Sequence, residues 1–371
     1  MRIGINTLAL LDTLAGAERY TQNVIKVLSC VDKKNEYFIF LTPVNEKYYS
    51  VKADNFRNIV LDFSNKNRIR RIFYEQMILP AEVKKHGIDL LYSPNNISPL
   101  VFNAKSALMI FDLHWFRFEK LFSFSKMAYI KNMITLSAKR ADVILTLSES
   151  SKKDICGLLN IKPEKIFITY SGAFDSTDDH ENDNIIKQEL PEKYILFIGQ
   201  FHKRKNIPAL IRAFNILKEK YDIKQDLVLV GRSGDDDCLI NNEFKRSPFS
   251  GNIKIIGYVN DNEIKRIYKK SDVFVYPSLY EGFGIPVLEA MLTDVPVVTS
   301  GVSSLPEVGQ DAVCYVDPYS DKDIADGILR VLSDDDYRKK MIIKGREVSG
   351  RFTWVNTAKS TIKAFESVMG Q

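Results

Sequence analysis

Hydrophobic residues fall along this chain in two alternating patterns. Short apolar runs at Arg2–Asn6, Tyr37–Leu41, Leu90–Tyr92, Ser106–Phe111 and Val143–Leu147 read as buried strands. Between them lie segments such as Glu18–Leu28, whose apolar residues return about every 3.6 positions, as on one face of a helix. The second half repeats the pattern more sharply. Strands are expected at Tyr194–Ile198, Leu227–Val230, Ile253–Ile256, Val273–Tyr276 and Val295–Thr299, and helices at Ile207–Tyr221, at Glu263–Lys270 and from Pro286 to Met291. Such alternation predicts α/β architecture, with parallel sheets covered by helices on both faces. Residues 174–192 break the pattern. The run Asp175-Ser-Thr-Asp-Asp-His-Glu-Asn-Asp-Asn is polar, acidic and aperiodic, and reads as a linker. The expected organisation is a first domain over residues 1–173, the linker, and a second domain over residues 193–353. Two such sheets facing each other would make a cleft suited to a small molecule.

A length of 371 residues suits two domains. With 45% hydrophobic and 27% charged residues, the composition is that of a globular protein with substantial cores. Met1-Arg2-Ile3-Gly4-Ile5-Asn6 reads as a first strand and not as a secretory signal. No window approaches the ~20 apolar residues of a membrane span. Cys30, Cys156, Cys238 and Cys314 are scattered, as expected of free thiols in a reducing cytoplasm. The net charge of +5 conceals an asymmetry: residues 1–172 hold 25 Lys and Arg against 16 Asp and Glu, and the remainder 27 against 31. The basic first half points to an anionic surface or a phosphate-bearing partner, or is plain solvated surface.

The densest chemistry lies in Tyr276-Pro-Ser-Leu-Tyr-Glu281-Gly-Phe-Gly284-Ile-Pro-Val-Leu-Glu289. An expected strand ends at Tyr276, a loop with two glycines follows, and a helix begins near Pro286, where a missing N–H costs little. Free backbone N–H groups at such a helix start form a cradle for phosphate. Glu281 lies before the helix and Glu289 well within it, so the two carboxylates are separated and free to act independently. A second loop, Gly199-Gln-Phe-His-Lys203-Arg204-Lys205-Asn206, delivers three consecutive cations at another strand end. Alone such a basic loop reads as solvated surface; at a strand end opposite the glutamate motif it suits an anionic ligand. The acidic run Asp235-Asp236-Asp237 reads as an exposed loop in preference to a metal site, and Gly231-x-x-Gly234 is weak as a motif alone.

These segments resemble glycosyltransferase family 4, retaining enzymes of the GT-B fold with two Rossmann-like domains. The resemblance is carried by the Glu-x7-Glu spacing of Glu281 and Glu289 and by the run from Val273-Phe-Val-Tyr-Pro-Ser through Ser303-Ser-Leu-Pro-Glu307-Val. It implies that Glu281 meets the donor sugar, that Gly282, Phe283 and Gly284 approach sugar and diphosphate beside Ile285 and Leu288, and that Glu289 takes the ribose hydroxyls. Arg204 and Lys205 match the family's diphosphate clamp, reached through Gly199, while Gln200 stands where many members carry Arg. Leu229-Val-Gly231-Arg232 and Ile256-Gly257-Tyr258-Val259 resemble segments lining base and ribose. Gly16, in Leu14-Ala-Gly16-Ala-Glu18-Arg19, resembles the family's loop near donor phosphate and acceptor, or is a plain left-handed turn. Asp112 and His114 lie on the acceptor or sugar side, with Phe111 where the family commonly has His. The segment 354–371, with Trp354 as packing anchor, resembles the helix that crosses back to the first domain.

The implied reaction is retaining transfer of a hexose from a nucleotide-sugar donor, GDP-mannose first and a UDP-hexose second, to a glycan acceptor, lipid-linked, in bacterial surface polysaccharide synthesis. No metal, other cofactor or nucleic-acid partner is expected. A nucleotide-sugar epimerase of the same architecture and a non-enzymatic sugar-binding module are the alternatives. The expected location is cytoplasmic, peripheral on the membrane's inner face. Lys66, Arg68, Arg70 and Arg71 beside Ile69, Ile72, Phe73 and Tyr74 suit a helix lying on an anionic bilayer; alternatively Ile72 and Phe73 belong to the first domain's core.

Overall fold

A computed structural model describes the chain apart from residues 11–15, 118–123, 175–188, 258, 260 and 370–371. The chain divides into two compact units, Met1–Gly172 with Thr353–Gln371, and Ala173–Phe352. The second unit thus takes in Ala173 and Phe174, and most of the expected linker lies outside the described residues.

The first unit holds seven strands: β1 (Arg2–Asn6), β2 (Glu36–Leu41), β3 (Phe56–Val60), β4 (Leu90–Ser93), β5 (Lys105–Met109), β6 (Val143–Thr146) and β7 (Ile166–Ile168). All pair in parallel in the order β3-β2-β1-β4-β5-β6-β7. The inner strands are buried on both faces, as Ile3, Ile5, Leu90 and Leu91 show, which is why their sequences read as continuous apolar runs. β3 and β7 did not emerge from the apolar pattern. Both are sheet edges, and β3 carries Arg57 and Asn58 exposed between Phe56 and Ile59.

The second unit holds β8 (Tyr194–Ile198), β9 (Asp226–Val230), β10 (Ile253–Ile256), β11 (Val273–Tyr276), β12 (Val297–Ser300) and β13 (Cys314–Val316), parallel in the order β10-β9-β8-β11-β12-β13. Each sheet is therefore built outward from its first strand in one direction and then in the other. The order reverses once, between β1 and β4 in the first unit and between β8 and β11 in the second. Ligands of open α/β sheets lie beyond the carboxyl ends of strands at such reversals.

The helix Trp354–Ser367 is capped by Thr353, whose side chain accepts from Asn356 N, and it packs within the first unit on the helix Gly16–Val31. Trp354 lies so close to Gly172 that a Cβ there would come within 2.7 Å of the indole. Only glycine fits.

Residues 68–85 form one helical run interrupted by a π-turn: Arg68–Phe73, the π-segment Tyr74–Ile78, then Leu79–Lys85. Asn67 caps it, accepting from the N–H groups of Ile69 and Arg70 at 3.0 and 3.1 Å. The core alternative for Phe73 does not hold. Ile69 is 81%, Phe73 54% and Met77 63% exposed, while Ile72 is half-buried. Tyr74 instead turns inward and stacks on Phe63 at 3.9 Å between centroids.

Candidate functional site

At the reversal in the second sheet, two loops converge. β8 ends at Ile198 and runs through Gly199 into a single 3-10 turn, Lys203–Lys205. Asn206, at φ 60°, then starts the helix Ile207–Tyr221. Its amide donates to the carbonyls of Pro277 and Pro318, and Leu279 N donates to the carbonyl of Arg204 at 2.7 Å. The basic turn is thereby fixed to the loop after β11. Gly231 at the end of β9 permits close passage, since a Cβ there would lie 1.9 Å from the carbonyl oxygen of Gly199. At Gly234 a Cβ would lie 2.2 Å from that of Phe201. Gly284 stands at φ 108° before the helix Ile285–Leu292, a backbone state that favours glycine.

Glu281 is buried, 5% exposed. Its Oε2 accepts from Arg204 Nη1 at 2.6 Å and its Oε1 from Lys205 Nζ at 2.7 Å. Lys205 also donates to the hydroxyl of Tyr276, and Arg204 to the carbonyl of Tyr280 at 3.2 Å. Burial alone would raise the carboxyl's pKa, but the charges of Arg204 and Lys205 override it and hold Glu281 at about 2. The same burial, with the charge of Glu281, pushes the Tyr276 phenol far above its ordinary range. Two cations thus share one carboxylate at a strand end.

The loop between Glu281 and Gly284 is held from below by Ser303 and Ser304. The hydroxyls of both donate to the carbonyl of Glu281, Ser304 also reaches the carbonyl of Phe283 at 2.9 Å, and Glu281 N donates to Ser303 Oγ at 3.1 Å. Nothing in the sequence marks these serines for this part, nor the φ of 58° at Ser303. Glu289 is also buried and accepts from the Tyr268 hydroxyl at 3.1 Å, so the two glutamates have different partners.

The remaining expected residues are placed as follows. Gly199, Gly231, Gly282 and Ile285 lie at these strand and helix ends, and the Phe283 side chain packs edge-on against Phe352 at 5.6 Å. Leu288 is fully enclosed, which makes its side chain a core element and not a ligand contact. Val259 is buried, and Tyr258 lies outside the described residues. The run Asp235–Asp237 is not simply an exposed loop. Asp235 accepts from His202 and from Lys203 N, Asp237 accepts from Gly234 N, and Asp236 is 2% exposed. Burial, then the charge of Asp235, raises Asp236 to about 6.

In the first unit, Gly16 opens the helix Gly16–Val31 with open space around its Cβ position. Asp112 accepts from His114 N at 3.0 Å and meets its Nδ1. Phe111, in place of the family's His, packs edge-on against buried Tyr20 at 5.3 Å.

Comparison with known proteins bears on this geometry. O-antigen chain mannosyltransferase B of Escherichia coli is 35% identical over 246 residues, 65% of this chain and 65% of that one. The match thus spans just under two thirds of that relative's length. Sucrose-phosphate synthase of Thermosynechococcus elongatus superposes with a TM-score of 0.77 at 18% identity, over 100% of this chain and 99% of that one. An Anabaena protein, HepE, solved in complex with UDP and glucose, superposes at 0.72 with 16% identity, over 99% and 100%. These likenesses establish the fold as two Rossmann-like units of the GT-B kind. The family model described as glycosyl transferases group 1 matches residues 178–348, which include both converging loops, so that stretch of the chain is similar to that family.

Proposed function

We propose that this protein transfers a hexose, with retention of anomeric configuration, from a nucleoside diphosphate sugar to a glycan acceptor in the synthesis of a surface polysaccharide. One observation carries the reading: Arg204 and Lys205 both reach buried Glu281 at the carboxyl ends of β8 and β11. A diphosphate at these cations competes with Glu281 for the same N–H donors. Charge on the leaving diphosphate is greatest as the glycosidic bond breaks, so the cations act most strongly in the transition state. The carboxylate, partly released, accepts from sugar hydroxyls and lies beside the developing positive charge at the anomeric carbon. Departure and attack on the same face, with a leaving phosphate oxygen taking the acceptor's proton, give retention without a covalent intermediate. Glu289 is offered for the ribose hydroxyls. The machinery uses side-chain cations and backbone N–H groups in place of a metal.

The name of the Escherichia coli relative, a mannosyltransferase, supports transfer of mannose, for which GDP-mannose is the donor we assign, and the UDP and glucose of the Anabaena protein support a UDP-hexose as the second choice. The acceptor is a lipid-linked glycan met at the cytoplasmic face of the membrane. Support comes from Ile69, Phe73 and Met77, spaced by four and exposed on one helical run that also carries Arg68 and Arg70. Among the described residues no helix is long and apolar enough to cross a membrane.

The test is a thermal-shift screen against GDP, UDP and ADP and their sugars, followed by product analysis without acceptor. A shift with one nucleotide and slow release of free sugar from its donor are expected. An epimerised donor, or no shift with any nucleotide, would overturn the transferase reading.

A further inference from the structure

The two sheets share one topology, and each places a buried glutamate at its reversal. In the second unit that residue is Glu281, neutralised by two cations. In the first unit it is Glu75, and its surroundings are different. Glu75 is 5% exposed, and its Oε1 accepts from Asn6 Nδ2 at 2.9 Å. No other hydrogen bond and no ion pair reaches it among the described residues. Asn6 ends β1 and Ser93 ends β4, the two strands between which the order reverses; the Asn6 amide lies 3.5 Å from Ser93 Oγ, which donates to Ser98 Oγ at 3.1 Å.

Glu75 owes this position to the π-turn, which places it and Gln76 on the inner side of a run whose outer side carries Phe73 and Met77. Gln76 fixes the turn: its Oε1 accepts from Leu100 N at 3.1 Å and its amide donates to Ser98 O at 3.4 Å. π-turns inside helices are frequent at functional sites, and a buried carboxylate with unused lone pairs is costly unless something bonds to it.

We infer that the carboxyl ends of β1 and β4 form a second ligand site, in which Glu75, steadied by Asn6, accepts hydrogen bonds from hydroxyls of a neutral carbohydrate, the acceptor. The inference rests on the transferase reading above and adds to it the residue that grips the acceptor. Charge selects the ligand class. A carboxylate repels phosphate, so the diphosphate belongs with Arg204 and Lys205, while a neutral, hydroxyl-rich group suits Glu75. A sugar hydroxyl donates to an ionised carboxylate in a charge-assisted bond.

Glu75→Gln keeps an oxygen for Asn6 and removes the charge, so folding is preserved. Release of nucleoside diphosphate from GDP-mannose and UDP-glucose is measured with and without methyl α-mannoside, α-mannobiose, galactose and N-acetylglucosamine. Wild-type protein is expected to release nucleotide faster with at least one of these sugars. In Glu75→Gln and Glu75→Ala the sugar's KM should rise about tenfold or more, as loss of a charge-assisted hydrogen bond demands. The affinity for free GDP or UDP should stay within about twofold of wild type. A variant that keeps full sugar stimulation overturns the assignment of Glu75. Unstimulated release that no sugar accelerates overturns the carbohydrate site. Absence of both release and nucleotide binding in wild-type protein removes the transferase reading itself, and this inference with it.

Discussion

The ammonium of Lys205 lies 2.7 Å from Oε1 of Glu281, and both side chains are only 7% exposed. Removing one member of such a pair leaves the other as an uncompensated buried charge, at a cost of roughly 3–5 kcal/mol. Glu281→Ala is therefore expected to lose stability as well as turnover, and Glu281→Gln is the cleaner probe. Glu281→Gln should lower turnover by about 10²–10³-fold with a melting temperature closer to wild type than that of Glu281→Ala. Near-normal turnover in folded Glu281→Gln would remove Glu281 from the reaction.

Arg204 is the better cation to delete, because its side chain is 21% exposed and Lys205 still neutralises Glu281 in its absence. Arg204→Ala should weaken binding of the free nucleoside diphosphate by one or two charge-assisted hydrogen bonds, about 1.5–3 kcal/mol each. Calorimetry with GDP and UDP measures this directly. On the proposed reading these cations take the part of a metal, so turnover should survive EDTA. Loss of activity in EDTA, restored by Mn²⁺, would overturn that expectation.

Glu281 and Glu75 give opposite pH signatures. Glu281 is held at about 2, below the ordinary 4.5. Its contribution to stability is complete above pH 4.5 and is lost as pH falls toward 2. Burial raises Glu75 to about 6, against the pull of the Asn6 amide and the charge of Arg71. Tyr129, on the facing helix Phe124–Arg140, senses its charge and has the Arg68 guanidinium over its ring. The folded protein then binds more protons than the unfolded chain between pH 4.5 and 6. Stability falls as pH rises through that window, reaching a deficit of about 2 kcal/mol above it. Glu75→Gln should remove the deficit, so denaturant titrations at pH 7.5 should find the variant as stable as wild type or more so. A variant clearly less stable at pH 7.5 would refute the raised carboxyl.

Binding to phosphatidylglycerol vesicles is expected at low salt and should fade as salt rises. Ile69→Asp with Phe73→Asp, and separately Arg68→Glu with Arg70→Glu, should abolish flotation. Arg71 is best left intact because its charge acts on Glu75. Wild-type protein that stays at the bottom of the gradient at low salt would refute attachment through this helix.

The convergence of Arg204, Lys205 and Glu281 was legible because both loops follow clear apolar strands and carry residue types that fit phosphate and sugar. Edge strands such as β3 and β7 were not, since a strand paired on one side has no need of a continuous apolar run. Glu75 was invisible for a different reason. In Phe73-Tyr-Glu-Gln-Met-Ile a lone glutamate reads as a solvated helix charge, and only the π-turn and the order of the strands turn it toward β1. Asp236 was misread likewise, because three consecutive aspartates look solvated while the middle one is enclosed.

The return of the chain to its first unit after residue 352 has a consequence for synthesis. The helix Trp354–Ser367 covers Gly172 and the helix Gly16–Val31, so the first unit lacks a wall until those residues exist. At about 5–20 residues per second the ribosome takes roughly 10–40 s to traverse the second unit. Through that interval the earlier-made unit exposes Tyr20 and its neighbours without their cover, while the later-made unit, continuous in sequence, can finish first. Nascent chains stalled near residue 350 should accordingly recruit chaperones to the amino-terminal half, against the usual order in which the first domain out is the first to close.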